Sequence, residues 1–243
     1  MANQGKRGQS ARERAPPSLD FVWTAAAVRM LRVQAEEGDV EALWQLGRYC
    51  LDGLRSRGGG VLIRRDVRAG CGFLERAIDL GDTGAMLELA SHLSHAGPAG
   101  WRRGVALYRR AFRLGEATAA YNLAFTYKLR GRYRDAVAWF RRAHAAGDPS
   151  AILDLALAEL HGQGTRRNVR GALAKLRQAA NATETKWFPR SSGENVRAMI
   201  HLARVYGEGW LVPRDLAESV RWLRLAAEWD SAIAKAMLVE NWE

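Results

Sequence analysis

Cysteine is nearly absent: Cys50 and Cys71 are the only two in 243 residues. Two cysteines cannot build the disulfide framework of a small secreted scaffold. Both fall in helical patterns, where a free thiol behaves as a small buried hydrophobe. Lysine is scarce too. Only 5 of the 37 basic residues are Lys, so a formal charge of +11 rests on arginine. Such a balance points to acidic protein, nucleic-acid or anionic membrane partners. Arginine accompanied by abundant Ala and Gly also follows from base composition, and here it alternates with acids along the helical stretches. No apolar run approaches the roughly 18 residues of a membrane span. The opening MANQGKRGQSARERAPPS is basic, but the apolar core of about 7–15 residues that a signal peptide needs does not follow. The expectation is a bacterial-type cytoplasmic protein with no membrane span.

Signatures of catalysis are missing as well. There is no Walker loop, no nucleophile elbow and no dinucleotide fingerprint between a strand and a helix. Gly58-Gly59-Gly60 follows a helical stretch and reads as a flexible connector. Of the five histidines, His92 and His95 stand one helical turn apart, yet no third ligand is set by spacing. The expectation is a protein that is not an enzyme and carries no cofactor or metal.

What the chain does have is self-similarity. The pattern Ala-x-x-x-Leu-(Gly/Ala) occurs five times, starting at Ala42, Ala85, Ala119, Ala151 and Ala198. Successive starts lie 43, 34, 32 and 47 residues apart. A second helical element follows each copy, centred on Ala77, Ala111, Ala143, Ala179 and Ala226. A two-helix unit repeating at this period predicts a stacked solenoid. Small residues at Gly47, Ala90, Ala124, Ala156 and Ala203, opposed by the second alanine column, let each helix pair approach closely. Phe73/Leu74, Leu107/Tyr108, Trp139/Phe140, Leu176 and Trp222/Leu223 then fill the space between layers.

The punctuation is regular. Gly38-Asp39, Gly81-Asp82, Gly115-Glu116 and Gly147-Asp148 precede four of the pattern alanines. Glycine closes one helix in a left-handed conformation, and the acid caps the next or meets its dipole. Asp66, Asn168 and Asp215, eleven residues before the second alanine, and Asp135, eight before it, are candidate N-caps of the second helices. The organisation expected is a disordered basic tail over 1–18, a capping helix over 19–38 starting at Ser18, and repeats over 39–81, 82–115, 116–147, 148–182 and 196–230. An insertion loop marked by Pro189 and Ser191-Ser192-Gly193 covers 183–195, and a closing helix covers 231–243.

Residues 117–147 resemble a tetratricopeptide repeat, with Leu123, Ala124, Tyr127, Gly131, Tyr133, Ala136, Phe140 and Ala143 in its small and large columns. The other copies resemble the longer Sel-like repeat. Residues 198–227 show it best, through Ala198, Leu202, Tyr206, Gly207, Gly209, Asp215, Trp222, Ala226 and Ala227. The departures are Cys50 for a tyrosine, Lys175 for a large apolar residue, and Gly97-Pro98-Ala99-Gly100 in place of a G-x-G loop. The resemblance implies an all-α, right-handed α/α superhelical solenoid of about five antiparallel helix pairs, whose first helices line a concave face. It implies a non-catalytic scaffold or adaptor that binds a peptide or helix of another protein. The residues it directs into the groove are Trp44, Arg48 and Leu51; Leu87, Ser91 and Ser94; Tyr121, Phe125 and Lys128; Leu153, Leu157 and Leu160; Ile200, Arg204 and Gly207. An apolar and aromatic strip edged by Arg and Lys suits an acidic protein partner. A homodimer and RNA held by a basic repeat surface are the other uses such a surface has.

Overall fold

The computed structural model describes residues 23–181, 193–209 and 211–240. The basic tail, the Ser18 cap, most of the expected insertion loop and residues 241–243 lie outside the described residues. Twelve helices and one two-stranded ribbon follow along the described chain: α1 Ala25–Glu36, α2 Val40–Asp52, β1 Leu54–Arg55, β2 Val61–Ile63, α3 Val67–Asp79, α4 Thr83–Ser94, α5 Gly97–Arg113, α6 Ala117–Leu129, α7 Tyr133–Ala145, α8 Ala151–His161, α9 Val169–Ala180, α10 Glu194–Glu208, α11 Leu216–Glu228 and α12 Ala232–Glu240. The fold is all-α, built of adjacent antiparallel helix pairs. The chain divides into two compact units between Leu123 and Ala124.

In the first unit α1 packs on α2, α2 on α3, α3 on α4 and α4 on α5. The pairs cross where neither helix has bulk. A Cβ on Gly70 would stand 2.9 Å from the Gly47 carbonyl oxygen, and one on Gly104 2.8 Å from that of Ala90. The closest backbone approach to the Gly47 column is thus made seven positions before Ala77 and Ala111, while a Cβ on Gly47 would also meet the Leu74 side chain at 2.6 Å. Large residues behave as expected: Leu74 and Tyr108 are buried, with Phe73 and Leu107 partly so.

The second unit repeats the scheme, with α7 on α8, α8 on α9, α9 on α10, α10 on α11 and α11 on α12. Phe140, Leu176, Trp222 and Leu223 fill its layers. Lys175 is accommodated where an apolar residue was expected because its ammonium reaches Glu159 at 2.9 Å. Seven residues before the second alanines stand Ala136, Ala172 and Ser219, all buried, and the Ser219 hydroxyl donates to the Ala203 carbonyl at 2.8 Å.

Helix ends follow the punctuation closely. Gly38, Gly81, Gly115 and Gly147 all have φ between +85° and +94°, the left-handed conformation that closes a helix. The next amide then reaches back five residues: Asp82, Glu116 and Asp148 donate to the carbonyls of Ala77, Ala111 and Ala143 at 2.9–3.1 Å. Ala77, Ala111 and Ala143 are thus also the acceptors that end α3, α5 and α7. The carboxylates of Asp39 and Asp82 accept from the amides of Ala42 and Ala85. Asp66, Asn168 and Asp215 cap α3, α9 and α11 in the same way.

Caps and connectors bring two corrections, at Asp135 and at the Gly58-Gly59-Gly60 connector. Asp135 is no N-cap: α7 starts at Tyr133, so Asp135 lies in its first turn and pairs with Arg132 at 2.7 Å. The cap position eleven residues before Ala143 is held by Arg132, whose side chain makes no capping hydrogen bond. Helix α1 is capped by Thr24, whose Oγ1 accepts from the Ala27 amide. Gly97-Pro98-Ala99-Gly100, which stands in place of the G-x-G loop, forms the first turn of α5. Gly100 lies so near the Leu93 carbonyl that a Cβ would stand 2.8 Å away. The connector holding Gly58-Gly59-Gly60 is not featureless, since β1 and β2 pair antiparallel across it with Leu54 opposite Ile63. In addition, α10 starts at Glu194, inside the stretch expected as a loop.

Candidate partner-binding face

In the first unit Trp44 and Arg48 stand one turn apart on α2, with the Arg48 guanidinium 5.8 Å from the centre of the Trp44 ring. Both are half-buried, as is Tyr121 on α6, and Ser91 on α4 is exposed. Leu51, Leu87 and Ser94 point inward. The Ser94 hydroxyl is spent on the Ala90 carbonyl at 2.7 Å. One residue that spacing did not flag belongs here. Glu88 is partly buried, and desolvation pushes its carboxyl above the usual carboxylate range; Arg48 opposes the shift and Asp52 adds to it.

In the second unit Phe125 is 42 % exposed, and the Lys128 ammonium lies 5.9 Å from its ring centre. The same ammonium bonds the buried Asp154 carboxylate at 2.7 Å. Leu157 is half-buried and Arg204 exposed, whereas Leu153, Leu160 and Ile200 are buried. Gly207 turns inward too, against Ser219. His201 lies among Arg204 and Arg197 on its own helix, His161 at the end of α8 and Lys128 on α6. Burial first, and then these cations, hold its imidazole below the ordinary pKa.

The face is therefore more polar than expected. Aliphatic side chains two before the pattern leucine gain more by packing against neighbouring helices than by facing water. Only the larger Trp44 and Tyr121 keep part of a ring at the surface. Polar character comes instead from the position one before the leucine: Gln45, Glu88, Asn122, Asp154 and His201. All five repeats are polar there, and that regularity was the signal available in the sequence. Among the described residues no three His, Cys, Asp or Glu side chains gather as a metal site. Nor is any described helix long and apolar enough to cross a membrane.

A stack of capped helix pairs with this column order matches the Sel1 repeat family over residues 40–82, 117–148, 149–183 and 196–228, more than half of the chain. The chain is a Sel1-repeat protein. The Sel1 match skips α4 and α5, the pair whose connector lacks the G-x-G loop, yet that pair packs like the others. Among solved structures, a Sel1 repeat protein from Oxalobacter formigenes aligns over 84% of this chain and 79% of its own, with 21% identity and a TM-score of 0.59. The immunity protein Pa5087 from Pseudomonas aeruginosa aligns over 91% of this chain and 86% of its own, with 16% identity and a TM-score of 0.51. At these identities the likeness is one of fold. No curated protein matches this Sel1-repeat sequence. Sel1-repeat proteins generally mediate protein–protein interaction, and the fold is typically a non-catalytic scaffold.

Proposed function

We propose that this Sel1-repeat protein is a non-catalytic adaptor whose first helices hold a peptide or helical segment of another protein. The observation that carries this reading is Phe125. A large aromatic side chain, 42 % exposed beside the cation of Lys128, is an anchor position open to a partner. Burying an aromatic side chain in an interface is the usual source of a binding hot spot. Trp44 with Arg48 offers a similar anchor in the first unit. The mixed charges around both anchors favour a segment carrying both signs over a uniformly acidic one.

Selection of a displayed random-peptide library on the immobilised protein tests this. Peptides that bind should lose about tenfold or more in affinity to Phe125→Ala or Trp44→Ala, a loss of about 1.4 kcal/mol or more, while circular dichroism of the variants stays unchanged. Peptides that bind both variants as tightly as the parent would remove the first-helix faces from the reading.

A further inference from the structure

The positive charge of the chain is sorted by helix class. The first helices α2, α4, α6, α8 and α10 carry four Arg or Lys and seven Asp or Glu. The second helices α3, α5, α7, α9 and α11 carry fifteen Arg or Lys and five Asp or Glu. Helices α5 and α9 hold no acid at all. Base composition explains how many arginines a chain has. It does not explain why they collect on one helix of each pair while the charges of the other are mostly acidic.

In the second unit this charge borders an open recess of about 730 Å³ between the turn that starts α7 and the connector from α8 to α9. Arg132, Arg134, Arg166, Tyr133, Asp135 and Thr165 line it. Asp135 neutralises Arg132 at 2.7 Å. Arg134 and Arg166 have no carboxylate partner among the described residues. The Tyr133 ring is 40% exposed. The recess has fixed walls: a Cβ on Gly164 would run into the Tyr133 carbonyl, so the connector backbone is seated directly on the start of α7. Arg141, two turns beyond Arg134 on α7, reaches the Thr165 hydroxyl at 3.4 Å.

We infer that this recess, with the arginines around it, binds the phosphate backbone of a single-stranded nucleic acid. Guanidinium groups pair with phosphate oxygens in two-point geometry, which a lysine surface would not offer. An exposed tyrosine at the mouth supplies the face on which an unpaired base stacks. A flat lipid surface meets a recess poorly, and a carboxylate peptide gives the tyrosine no planar partner. The site uses the other helix of each pair from the peptide-binding reading and stands or falls separately from it.

Fluorescence anisotropy with labelled oligouridylate and oligothymidylate of about 20 nucleotides tests this, since such a length spans one site. Binding should weaken steeply as salt rises from about 50 to 200 mM. The variant Arg134→Gln/Arg166→Gln should lose about tenfold in affinity, and Tyr133→Ala several-fold, with unchanged melting temperatures. Phe125→Ala should bind the oligonucleotides as the parent does. No binding at about 50 mM salt, or equal binding by the arginine variant, overturns the inference. Tighter binding to phosphatidylserine vesicles or to polyglutamate overturns it in favour of a membrane or an acidic protein.

Discussion

Gly104 sits where one added carbon has no room: a Cβ there would stand 2.8 Å from the Ala90 carbonyl oxygen and 2.9 Å from the Ser94 hydroxyl. Gly104→Val should lower stability by about 1–3 kcal/mol, the usual cost of overpacking, measured by urea unfolding. Gly72, also in mid-helix, meets nothing within 4 Å. There Gly72→Ala should raise stability by about 0.5–1 kcal/mol, because only backbone entropy changes. If the two substitutions moved stability alike, the crossing would not lie at Gly104. Both alanine columns were legible in the sequence, but the crossing residue was not. It changes identity between Gly, Ala and Ser, and only its constant smallness, seven places before the second alanine, betrays it. His201 is a second residue-scale case. Its folded-state pKa lies below the ordinary 6.5, through burial and then Arg204, Arg197, His161 and Lys128. As pH falls through about 6.5 the unfolded chain takes up this proton before the folded one, so stability declines. Glu88 and Glu194, whose carboxyls are pushed above 4.5 by burial, act the other way, since their ionisation above that pH weakens the fold. The clean readout is the difference between the parent and His201→Asn. The variant should lose less stability between pH 7 and pH 5, and parallel curves would refute this account of the imidazole.

At the scale of the element, the helix caps separate acids that look alike in sequence. Asp82 is wholly buried and accepts from the Ala85 amide at 2.5 Å. Its loss strands a helix-terminal donor in the interior, so Asp82→Ala should cost about 1–2 kcal/mol. Asp135 stands at the surface of the first turn of α7 beside Arg132, and exposed pairs contribute little, so Asp135→Ala should change stability by at most about 1 kcal/mol. Thermal melts of the two variants decide between these roles, and equal shifts would contradict the assignment. The caps at eleven residues were readable because the distance from cap to second alanine repeats whatever the length of the connector. The one at eight was misread because the position eleven residues before Ala143 holds Arg132, which has no capping oxygen, and the nearest acid lies inside the first turn instead. The candidate face was half legible for a related reason. Trp44, Arg48, Phe125 and Arg204 lie on first helices with side chains at least partly exposed. Which aliphatic neighbours turn inward depends on the adjacent helix, and this is a property of packing that no single repeat contains.

At the scale of the whole chain, sorted charge should leave a signature in stability as well as in binding. Helix α5 places Arg109 and Arg110 within one turn of Arg113 and has no acid to offset them. Like charges at that spacing cost about 0.2–0.5 kcal/mol each in an isolated helix. With fifteen Arg or Lys against five acids on the second helices and a formal net charge of +11, repulsion between exposed guanidinium groups opposes the folded state. Salt shortens the reach of that repulsion to about 10 Å at 0.1 M. The few ion pairs on exposed faces, such as Arg103 with Glu75, weaken with salt in the opposite sense but are individually small. The melting temperature should therefore rise as sodium chloride increases from about 20 to 300 mM, over the range where the screening length falls most. Arg110→Glu should be more stable than the parent at low salt, because it places an acid one turn before Arg113, and its dependence on salt should be shallower. A melting temperature that falls with salt would mean that ion pairs, not repulsion, dominate the surface. The arginines of the second helices would then be part of the fold's own support and not a surface held open for an anionic strand.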